Sequence, residues 1–354
     1  MDKKKVLVGM SGGVDSSVTA LLLKQKGYEP IGITLDFFSK SAFQDTSTYL
    51  AAQKVCEKLD IPHYYCDCKE DFNKYVIQDF IKCYADCKTP NPCIECNKYM
   101  KFGYMWEKAK ELGCNYIATG HYAKTEYSEK YKKWVLKKSK VLKKDQTYVL
   151  WNIPQELLEH ILFPLSDFEN KEQIRDIARQ NNLDVAEKKD SEDICFIPDG
   201  NYKKFLEENS NLKQKQGNIV TLKGEILGKH LGLYNYTIGQ RKGLGISYSE
   251  PLFVLGFNPP KNEVIVGTQS ELYQKELIVE NINLLLFDKI PENLEVNVKT
   301  RYSSKEAKAI INQKDNLIKV EFKEPQKSIT PGQSAVFYID DIVVGGGKIQ
   351  KNSC

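Results

Sequence analysis

The chain has 354 residues, of which 41% are hydrophobic, and a formal net charge of +4 at neutral pH. This length predicts two or three domains, and no apolar run approaches the roughly eighteen residues of a membrane-spanning helix, so a membrane-spanning protein is excluded. The apolar part of the N-terminal segment is too short for a secretory signal. The ten cysteines therefore suggest a reducing cytosol, where unusual cysteine spacings indicate metal binding or catalysis more than structural disulfides.

Strands and helices are predicted to alternate over the first 150 residues. The segment KKVLVGM predicts a buried strand, and SSVTALLLKQKG predicts a helix that ends at Gly27. Further strands are predicted at EPIGITLDFF, IPHYYCDC and CNYIATGHYA, with helices at STYLAAQKVCEKLD, 71–86 and KYMKFGYMWEKAKELG. This alternation predicts an α/β fold with a doubly wound parallel sheet, in which ligands bind at the carboxyl ends of the strands.

The pattern changes in the second half of the chain. Short strands bounded by glycine begin near 217, among them a hairpin about a Pro-Pro-Lys-Asn turn, and the pattern from 276 onward is β throughout. We therefore expect three domains: an α/β domain over 1–200, a small central domain over 201–275, and a C-terminal β-barrel over 276–354.

Residues 124–144 concentrate positive charge. They contain nine lysines against two glutamates, with Tyr127, Tyr131 and Trp134 between them. Such a segment favours either a phosphate-binding surface for nucleic acid or the solvated face of a β-hairpin. The sequence leaves both interpretations open.

A glycine-rich loop, GMSGGVDSS (9–17), joins the first strand to the first helix. Gly12 and Gly13 let backbone N–H groups approach a ligand closely, and the helix that begins near Ser16 presents its positive end, so the loop predicts an anion cradle. Neither GK[ST] nor G-x-G-x-x-G spacing occurs, which argues against a hydrolysis motor and a dinucleotide enzyme. The string SGG-x-DS resembles the PP-loop of ATP pyrophosphatases, and the resemblance implies that Asp15 helps to hold Mg²⁺ at the phosphates of ATP.

Three cysteines lie in unusual settings. Cys93 and Cys96 are three residues apart in NPCIECN, and Cys195 follows far downstream in DSEDICFIPD. Cys96 precedes a predicted helix with Lys98 and Lys101, a setting that favours ionisation of a thiol. Three thiols are one ligand short of a structural zinc site. A metal site, a redox pair and sulfur-handling nucleophiles remain open, and the other cysteines, Cys354 included, are expected to be buried or incidental thiols.

Seven segments, taken in order, resemble the tRNA-specific 2-thiouridylase family over nearly the whole chain. They are GMSGGVDSS, TPNPCIECNKYMKF, ATGHYA, KDQTYVLW, DSEDICFIPDGNYKKFL, YTIGQRKGLGI and TPGQSAVFY. Members of the family adenylate the C2 oxygen of the wobble uridine of tRNA, position 34, and replace it with sulfur. The resemblance implies an N-terminal PP-loop ATP pyrophosphatase domain with the catalytic cysteines, a small central domain and a C-terminal β-barrel that contacts tRNA.

The resemblance also implies roles for individual residues. Cys96 is the expected nucleophile, and Cys195 is the expected carrier of a persulfide. The residues expected to bind ATP are Gly9, Met10, Ser11, Gly12, Gly13, Val14, Asp15, Ser16, Leu35 and Gly120. The residues expected to contact tRNA are Asn91, Pro92, Cys93, His121, Lys144, Asp145, Gln146, Arg301, Tyr302 and Gln333.

The sulfur step has two open routes. In the first, a persulfide on Cys195 attacks C2 of the adenylated uridine or first releases hydrogen sulfide, and a Cys96–Cys195 disulfide forms, so each turnover consumes a reductant. Many members of the family have Asp where this chain has Cys93, and the role of that Asp is either unfilled or passes to Glu95. The extra cysteine makes a 4Fe-4S cluster on Cys93, Cys96 and Cys195 the alternative route.

The resemblance implies ATP with Mg²⁺ as the cofactor set, with the 4Fe-4S cluster as the alternative. The implied partners are tRNAs of the Lys, Glu and Gln types and a sulfur donor, such as a cysteine desulfurase or a relay protein. We expect a cytoplasmic location without membrane contact. The rival functions are another PP-loop adenylating enzyme resembling NAD or GMP synthetases, which share SGG-x-DS without the cysteine pair, and a nonenzymatic ATP-gated RNA-binding module.

Overall fold

The computed structural model of the protein describes residues 4–38, 46–188 and 194–350. Within these ranges no helix is both long and apolar enough to cross a membrane. The nine cysteines that they contain are all free thiols, and Cys354 lies outside the described residues. The description of the fold therefore covers almost all of the chain.

The N-terminal part is built on a parallel sheet. The strands of this part are β1 Lys5–Gly9, β2 Glu29–Asp36, β3 His63–Asp67, β4 Tyr116–Ala118, β5 Ala123–Ser128, β6 Lys133–Lys138 and β7 Ile161–Leu162. Five of them pair in parallel in the order β3-β2-β1-β4-β7. The order reverses direction between β1 and β4, which is where doubly wound sheets bind ligands. The predicted doubly wound α/β fold is confirmed.

Helices cover both faces of this sheet. The helices of this part are α1 Val14–Gln25, α2 Thr46–Lys58, α3 Lys69–Phe72, α4 Gln78–Ala85, α5 Pro92–Glu95, α6 Met105–Glu111 and α7 Lys171–Gln180. The next helix, α8 Tyr202–Asn209, packs against α4 through Phe205 and Phe80. A π-helical segment, Asn73–Ile77, joins α3 to α4, and a second one, Cys96–Tyr104, joins α5 to α6. Leu7 belongs to one apolar cluster and Val6 and Val8 to another, because alternate residues of β1 point to opposite faces of the sheet.

The central part is a small four-stranded sheet. Its strands are β8 Gly217–Thr221, β9 Ile226–His230, β10 Phe253–Asn258 and β11 Glu263–Gly267. Their order is β10-β11-β8-β9. The turn Pro259–Lys261 connects the antiparallel pair β10 and β11, which confirms the predicted hairpin.

The C-terminal part is a closed barrel. Its strands are β12 Tyr273–Leu284, β13 Leu294–Lys299, β14 Ala307–Lys314, β15 Leu317–Lys327, β16 Ser334–Ile339 and β17 Ile342–Ile349. Pairing of β12 with β17 closes the barrel, as the β pattern predicts. The β5–β6 hairpin extends this sheet through Lys137, which pairs with Ile342.

The N-terminal part and the barrel share one apolar core. Trp151 is fully buried in the same cluster as Val336, Tyr338 and Val343 of the barrel. A Cβ on Gly346 of β17 would lie 3.0 Å from the Trp151 ring, so the two parts fit closely here. This packing fixes barrel residues relative to the end of the parallel sheet.

Candidate active site

The loop between β1 and α1 is shaped by its own side chains. Gly12 has a φ of 65°, and α1 begins at Val14 after Gly13, which has no side chain to cap the helix. Ser16 Oγ donates to Gly13 O at 3.1 Å and accepts from Ser11 N at 3.2 Å. The N-terminus of α1 is therefore left uncapped by side chains at the carboxyl end of β1, which is the arrangement of an anion site.

The end of β4 meets the start of α1 at Gly120. A Cβ on Gly120 would lie 2.8 Å from the Asp15 carbonyl carbon and 2.9 Å from Ser16 N. Because β1 and β4 flank the switch point, this contact joins the two loops into one crevice. Leu35, near the carboxyl end of β2, lies half-buried at the same edge of the sheet.

Asp15 is held by side chains from outside the loop. Tyr122 OH donates to Asp15 Oδ1 at 2.8 Å, and Lys171 Nζ donates to Oδ2 at 2.9 Å. A second lysine, Lys188, donates to Gly12 O at 3.2 Å. The loop itself has no basic residue, so these two lysines supply positive charge at its border.

The helix with the first two cysteines begins in a well-defined cap. Asn91 Oδ1 accepts from Cys93 N at 3.2 Å, and Pro92 occupies the first position, where no backbone N–H is needed. Cys96 begins the π-helical segment. Since a π-helix bonds each N–H to the carbonyl five residues earlier, Lys101 lies about one turn after Cys96 on the same face.

Burial raises the pKa of each of the three thiols, so the expectation that the basic setting of Cys96 favours its ionisation is wrong for the resting protein. The pKa of the buried Cys96 is raised to about 12, and that of Cys195, which lies exposed at the edge of the site, to about 11. The pKa of Cys93 is also raised by burial. Charge on Cys93 further raises the pKa of Cys96 and of Cys195, whereas Lys101 lowers the pKa of all three. The three thiols and Lys101 are therefore electrostatic neighbours.

His121 connects this cluster to the nucleotide loop. It follows Gly120 directly, and its Nδ1 lies 2.6 Å from Thr119 Oγ1. Burial, and next the charge of Lys101, lowers the pKa of His121 well below 6.5, so the imidazole is neutral at neutral pH. Lys101 thus acts on both His121 and the thiols, which lie next to the crevice.

The carboxylates and thiols near this cluster do not form a metal site as they are placed. Within the described residues, no three His, Cys, Asp or Glu side chains form a group that could hold a metal ion. Cys93, Cys96 and Cys195 are therefore not arranged around a single metal ion, although their charges act on one another. Glu95 is buried, and its carboxylate lies 2.8 Å from Lys348 Nζ of β17. If Glu95 took over the role of the Asp that many family members have in place of Cys93, this ion pair would have to break.

Two of the residues expected to contact tRNA form hydrogen bonds that join parts of the chain. Gln333 Nε2 donates to Thr89 O at 2.9 Å and so ties the segment before the cysteine helix to the barrel. Arg301 Nη2 donates to Ile238 O at 3.0 Å and to Ser328 O at 3.1 Å. Arg301 therefore joins the central part to the barrel.

Tyr302 lies differently from its neighbour. It is 44% exposed, and its ring contacts Tyr148 edge-on at a centroid distance of 6.2 Å. Burial of the hydroxyl, followed by the charges of Asp145 and Cys93, raises the pKa of Tyr302. An exposed ring beside the cysteines is a surface on which a base can stack.

The three residues expected at 144–146 also differ in their settings. Gln146 Oε1 accepts from Tyr122 N at 2.9 Å. Asp145 is buried and accepts from Thr147 Oγ1 at 2.6 Å, and burial raises its pKa. Lys144 lies exposed at the end of a short turn. Of the three, Lys144 has the exposure that a phosphate contact needs.

The β5–β6 hairpin neutralises much of its own charge. Lys137 lies 2.7 Å from Glu126 and 3.1 Å from Asp341, and Lys138 lies 2.6 Å from Glu306. Further pairs are Lys124 with Glu126, Lys132 with Glu129, and Lys133 with Asp288. These pairs favour the solvated hairpin over an open phosphate-binding surface for most of 124–144.

Several residues of the site lie outside the predicted set. The sequence presents Lys101 as a basic neighbour of Cys96, but its effect on His121 depends on the π-helical turn. Tyr122, Lys171 and Lys188 belong to no local phosphate-binding motif. One feature of the sequence could have indicated Lys171 and Lys188: the predicted phosphate-binding loop, residues 9–17, contains no basic residue, so its cations must come from elsewhere in the chain.

The fold and the crevice define an ATP pyrophosphatase of the PP-loop type with a thiol cluster beside the nucleotide loop. The model of the tRNA methyl transferase HUP domain matches residues 4–199. A tRNA methyl transferase PRC-barrel domain matches 203–268, and an aminomethyltransferase beta-barrel domain matches 274–349.

Curated relatives match over their whole length. The tRNA-specific 2-thiouridylase MnmA of Clostridioides difficile (strain 630) is 46% identical over 363 residues, which covers 99% of each chain. The MnmA of Clostridium beijerinckii is 48% identical over 357 residues, covering 98% of this chain and 99% of the relative. The chain belongs to the tRNA-specific 2-thiouridylase family.

A solved structure with partial similarity is the U34-tRNA thiolase NcsA from Methanococcus maripaludis with its [4Fe-4S] cluster. It is 19% identical, with a TM-score of 0.37, and the match covers 60% of this chain and 69% of that one. Similarity of this size does not bear on whether this chain holds a cluster.

Proposed function

We propose that this protein uses ATP to replace the C2 oxygen of the wobble uridine of tRNA with sulfur. The observation that carries the proposal is the continuity of the site. Gly120 contacts the start of α1, His121 follows it, and Lys101 acts on both His121 and the three thiols. The names of the full-length relatives support the same reaction. Replacing an oxygen with sulfur needs an activating site next to a sulfur carrier.

The first step is adenylation. The C2 oxygen of uridine attacks the α-phosphorus of ATP, and the bond from that phosphorus to the bridging oxygen breaks, so pyrophosphate leaves with the electron pair. The uncapped end of α1 stabilises the phosphate charge, and Leu35 borders the nucleotide. Asp15 would hold Mg²⁺ together with the phosphates, which is the usual mode of binding for that ion, and the ion supplies further charge neutralisation.

The second step is sulfur transfer through the cysteine pair. The terminal sulfur of a Cys195 persulfide attacks C2, and AMP leaves with the former C2 oxygen. Cys96 then loses its proton and attacks Cys195 Sγ, so the bond between the two persulfide sulfurs breaks and its electron pair stays on the sulfur bound to C2. The products are 2-thiouridine and a Cys96–Cys195 disulfide, which a two-electron reductant must reopen.

The partners follow from this chemistry and from the family. We infer a persulfide donor, such as a cysteine desulfurase or a relay protein, and wobble uridines of the Lys, Glu and Gln tRNAs. Tyr302 is suited to stack on the target base, and the exposed Lys144 to contact phosphate. The need for tRNA, ATP and a reductant favours a cytoplasmic setting. We also propose domain boundaries after 200 and 275. The separate sheet of β8–β11 supports a distinct central domain, and β12 begins at Tyr273, just before the second boundary.

Two alternatives are less well supported. A 4Fe-4S cluster would need Cys93 as its third ligand, at a position where many members of the family have Asp. Methyl transfer, which the wording of the domain models suggests, would leave the neighbouring thiols without a use. The disulfide route uses both Cys96 and Cys195.

The test is reconstitution. Purified protein is incubated with ATP, a persulfide donor and unmodified tRNA, and the nucleosides are analysed by mass spectrometry. We expect 2-thiouridine together with equal amounts of AMP and pyrophosphate. Methylated uridine without thiouridine would contradict the proposal. Preparation without oxygen, with iron and sulfide analysis of wild type and Cys93→Ala, separates the routes: thiolation by iron-free protein supports the disulfide route, and iron-dependent thiolation overturns it.

A further inference from the structure

The phosphate end of the nucleotide crevice needs positive charge that the loop does not contain. ATP has three phosphates, and the departing pyrophosphate carries most of their charge. Residues 9–17 contain one acidic residue, Asp15, and no basic one. Backbone N–H groups and the end of α1 offset part of the charge. Mg²⁺ at Asp15 would offset a further part, and cations from elsewhere in the chain can offset the rest.

Lys171 brings one cation to the loop from α7. It is the first residue of that helix, whose N-cap Asn170 accepts from Gln173 N at 3.1 Å. Ile174 and Ala178 of α7 are fully buried in the cluster that packs against α1. The two helices are thereby fixed side by side, and Lys171 reaches Asp15 Oδ2 at 2.9 Å with 14% of its side chain exposed.

Lys188 brings a second cation through the same helix. Arg175 lies one turn after Lys171 on α7, and its guanidinium donates to Ala186 O and, at 3.1 Å, to Lys188 O. These bonds fix the backbone at 186–188. The Lys188 ammonium lies 3.2 Å from Gly12 O, so both lysines point to the loop from one supporting element.

We propose that Lys171 and Lys188 bind the β- and γ-phosphates of ATP and the pyrophosphate that leaves. The inference rests on the proposed function, because that function supplies ATP as the ligand. An ammonium group has three donors, so Lys171 can keep its bond to Asp15 while it donates to a phosphate oxygen. In the ligand-free protein the same lysine offsets the charge of Asp15, which would otherwise repel phosphate.

The experiment compares nucleotides that differ in their phosphates. Binding of a non-hydrolysable ATP analogue and of AMP to the full-length protein is measured by calorimetry for wild type, Lys171→Met and Lys188→Met. We expect each variant to bind the ATP analogue about tenfold or more weakly, since a charge-assisted hydrogen bond to phosphate is lost. AMP affinity is expected to stay within about twofold. Inhibition of thiolation by added pyrophosphate is expected to weaken in parallel.

Two further variants make the result decisive. Lys26→Met removes the same charge from an exposed position after the opposite end of α1 and is expected to bind both nucleotides as wild type does. Lys171→Arg keeps the charge and is expected to recover most of the ATP affinity. Unchanged ATP affinity in both methionine variants would overturn the inference, as would an equal loss of ATP and AMP, which indicates a collapsed loop.

Failure of the proposed function has a different signature. If wild type binds ATP but forms no 2-thiouridine, and the lysine variants bind the ATP analogue more weakly, the proposed function is wrong and the lysine assignment stands. If wild type forms 2-thiouridine and the lysine variants retain full ATP affinity, the function stands and the lysine assignment is wrong.

Discussion

The nucleotide loop and the cysteine cluster are neighbours built in different ways. The loop is formed by nine consecutive residues whose serines bond to its own backbone, as Ser16 does to Gly13 O at 3.1 Å. The cluster draws Cys93 and Cys96 from one helix start, Cys195 from a distant segment, and Tyr302 from the barrel. Its members influence one another through charge more than through backbone contact.

This difference predicts different modes of failure. A backbone site depends on shape, so a single added methyl group is enough to damage it. A cluster of thiols depends on the identity and ionisation of its side chains, so it is sensitive to removal of a sulfur or of a nearby charge. Substitutions in each region can test whether the two modes are separate.

The largest expected effect is loss of the cysteine pair. Cys96→Ser and Cys195→Ser are each expected to lower 2-thiouridine formation by at least about a hundredfold, because a hydroxyl cannot replace either sulfur. ATP affinity should remain that of wild type, since the PP-loop is untouched. Mass spectrometry of tRNA nucleosides measures the first quantity, and calorimetry measures the second.

The two cysteine variants also separate the roles within the pair. Cys96→Ser is expected to accumulate tRNA linked to Cys195 by a disulfide that a reductant releases, whereas Cys195→Ser forms no such adduct. Cys114→Ser, a change at a buried thiol that belongs to a different apolar cluster from Cys96, serves as the matched control and should thiolate normally. Normal thiouridine levels in Cys96→Ser would contradict the assigned mechanism.

Gly120→Ala is the corresponding test of shape. The added Cβ would lie 2.8 to 2.9 Å from backbone atoms of Asp15 and Ser16, so we expect ATP affinity to fall about tenfold and the free energy of unfolding to fall by about 1–3 kcal/mol. Gly256→Ala is the control, because its Cβ would meet no atom within 4 Å. Wild-type ATP affinity in Gly120→Ala would show that the loop tolerates a shift in shape.

The two regions also differ in how far the sequence predicts them. The strand, loop and α1 are local and periodic, so their pattern predicts both the fold and the place of Gly9–Ser16. The Cys96–Lys101 pair is different, because five residues do not return to the same face of an α-helix, and the π-helical turn is a property of packing. The bonds of Arg301 to Ile238 and of Lys188 to Gly12 are likewise tertiary, so no local pattern could indicate them.

Lys101→Met is expected to have a moderate effect confined to the thiols. Lys101 lowers the pKa of Cys96 and Cys195, so its removal should raise both values and slow alkylation at a fixed mildly alkaline pH about threefold to tenfold. The pH at which the alkylation rate reaches half of its maximum should rise, and Lys101→Arg should restore the wild-type value. Lys98→Met, which removes an ammonium lying over the Tyr99 ring, is the control on the same helix. If the dependence of the alkylation rate on pH is unchanged in Lys101→Met, Lys101 does not influence the thiols.

The smallest expected effect is a change in acid stability at His121. Burial lowers the pKa of His121 well below 6.5, so folding favours the neutral form. The resulting stability is present above the unfolded pKa of about 6.5 and is lost as the pH falls toward the folded value. His121→Gln should therefore flatten the decline of the free energy of unfolding below pH 6.5, by at most about 1.4 kcal/mol per pH unit for one proton. Some decline should remain, because burial also lowers the pKa of His63 and His230. Urea unfolding at a series of pH values measures the slope, and a slope equal to that of wild type would show that His121 is not buried as a neutral group between the loop and the thiols.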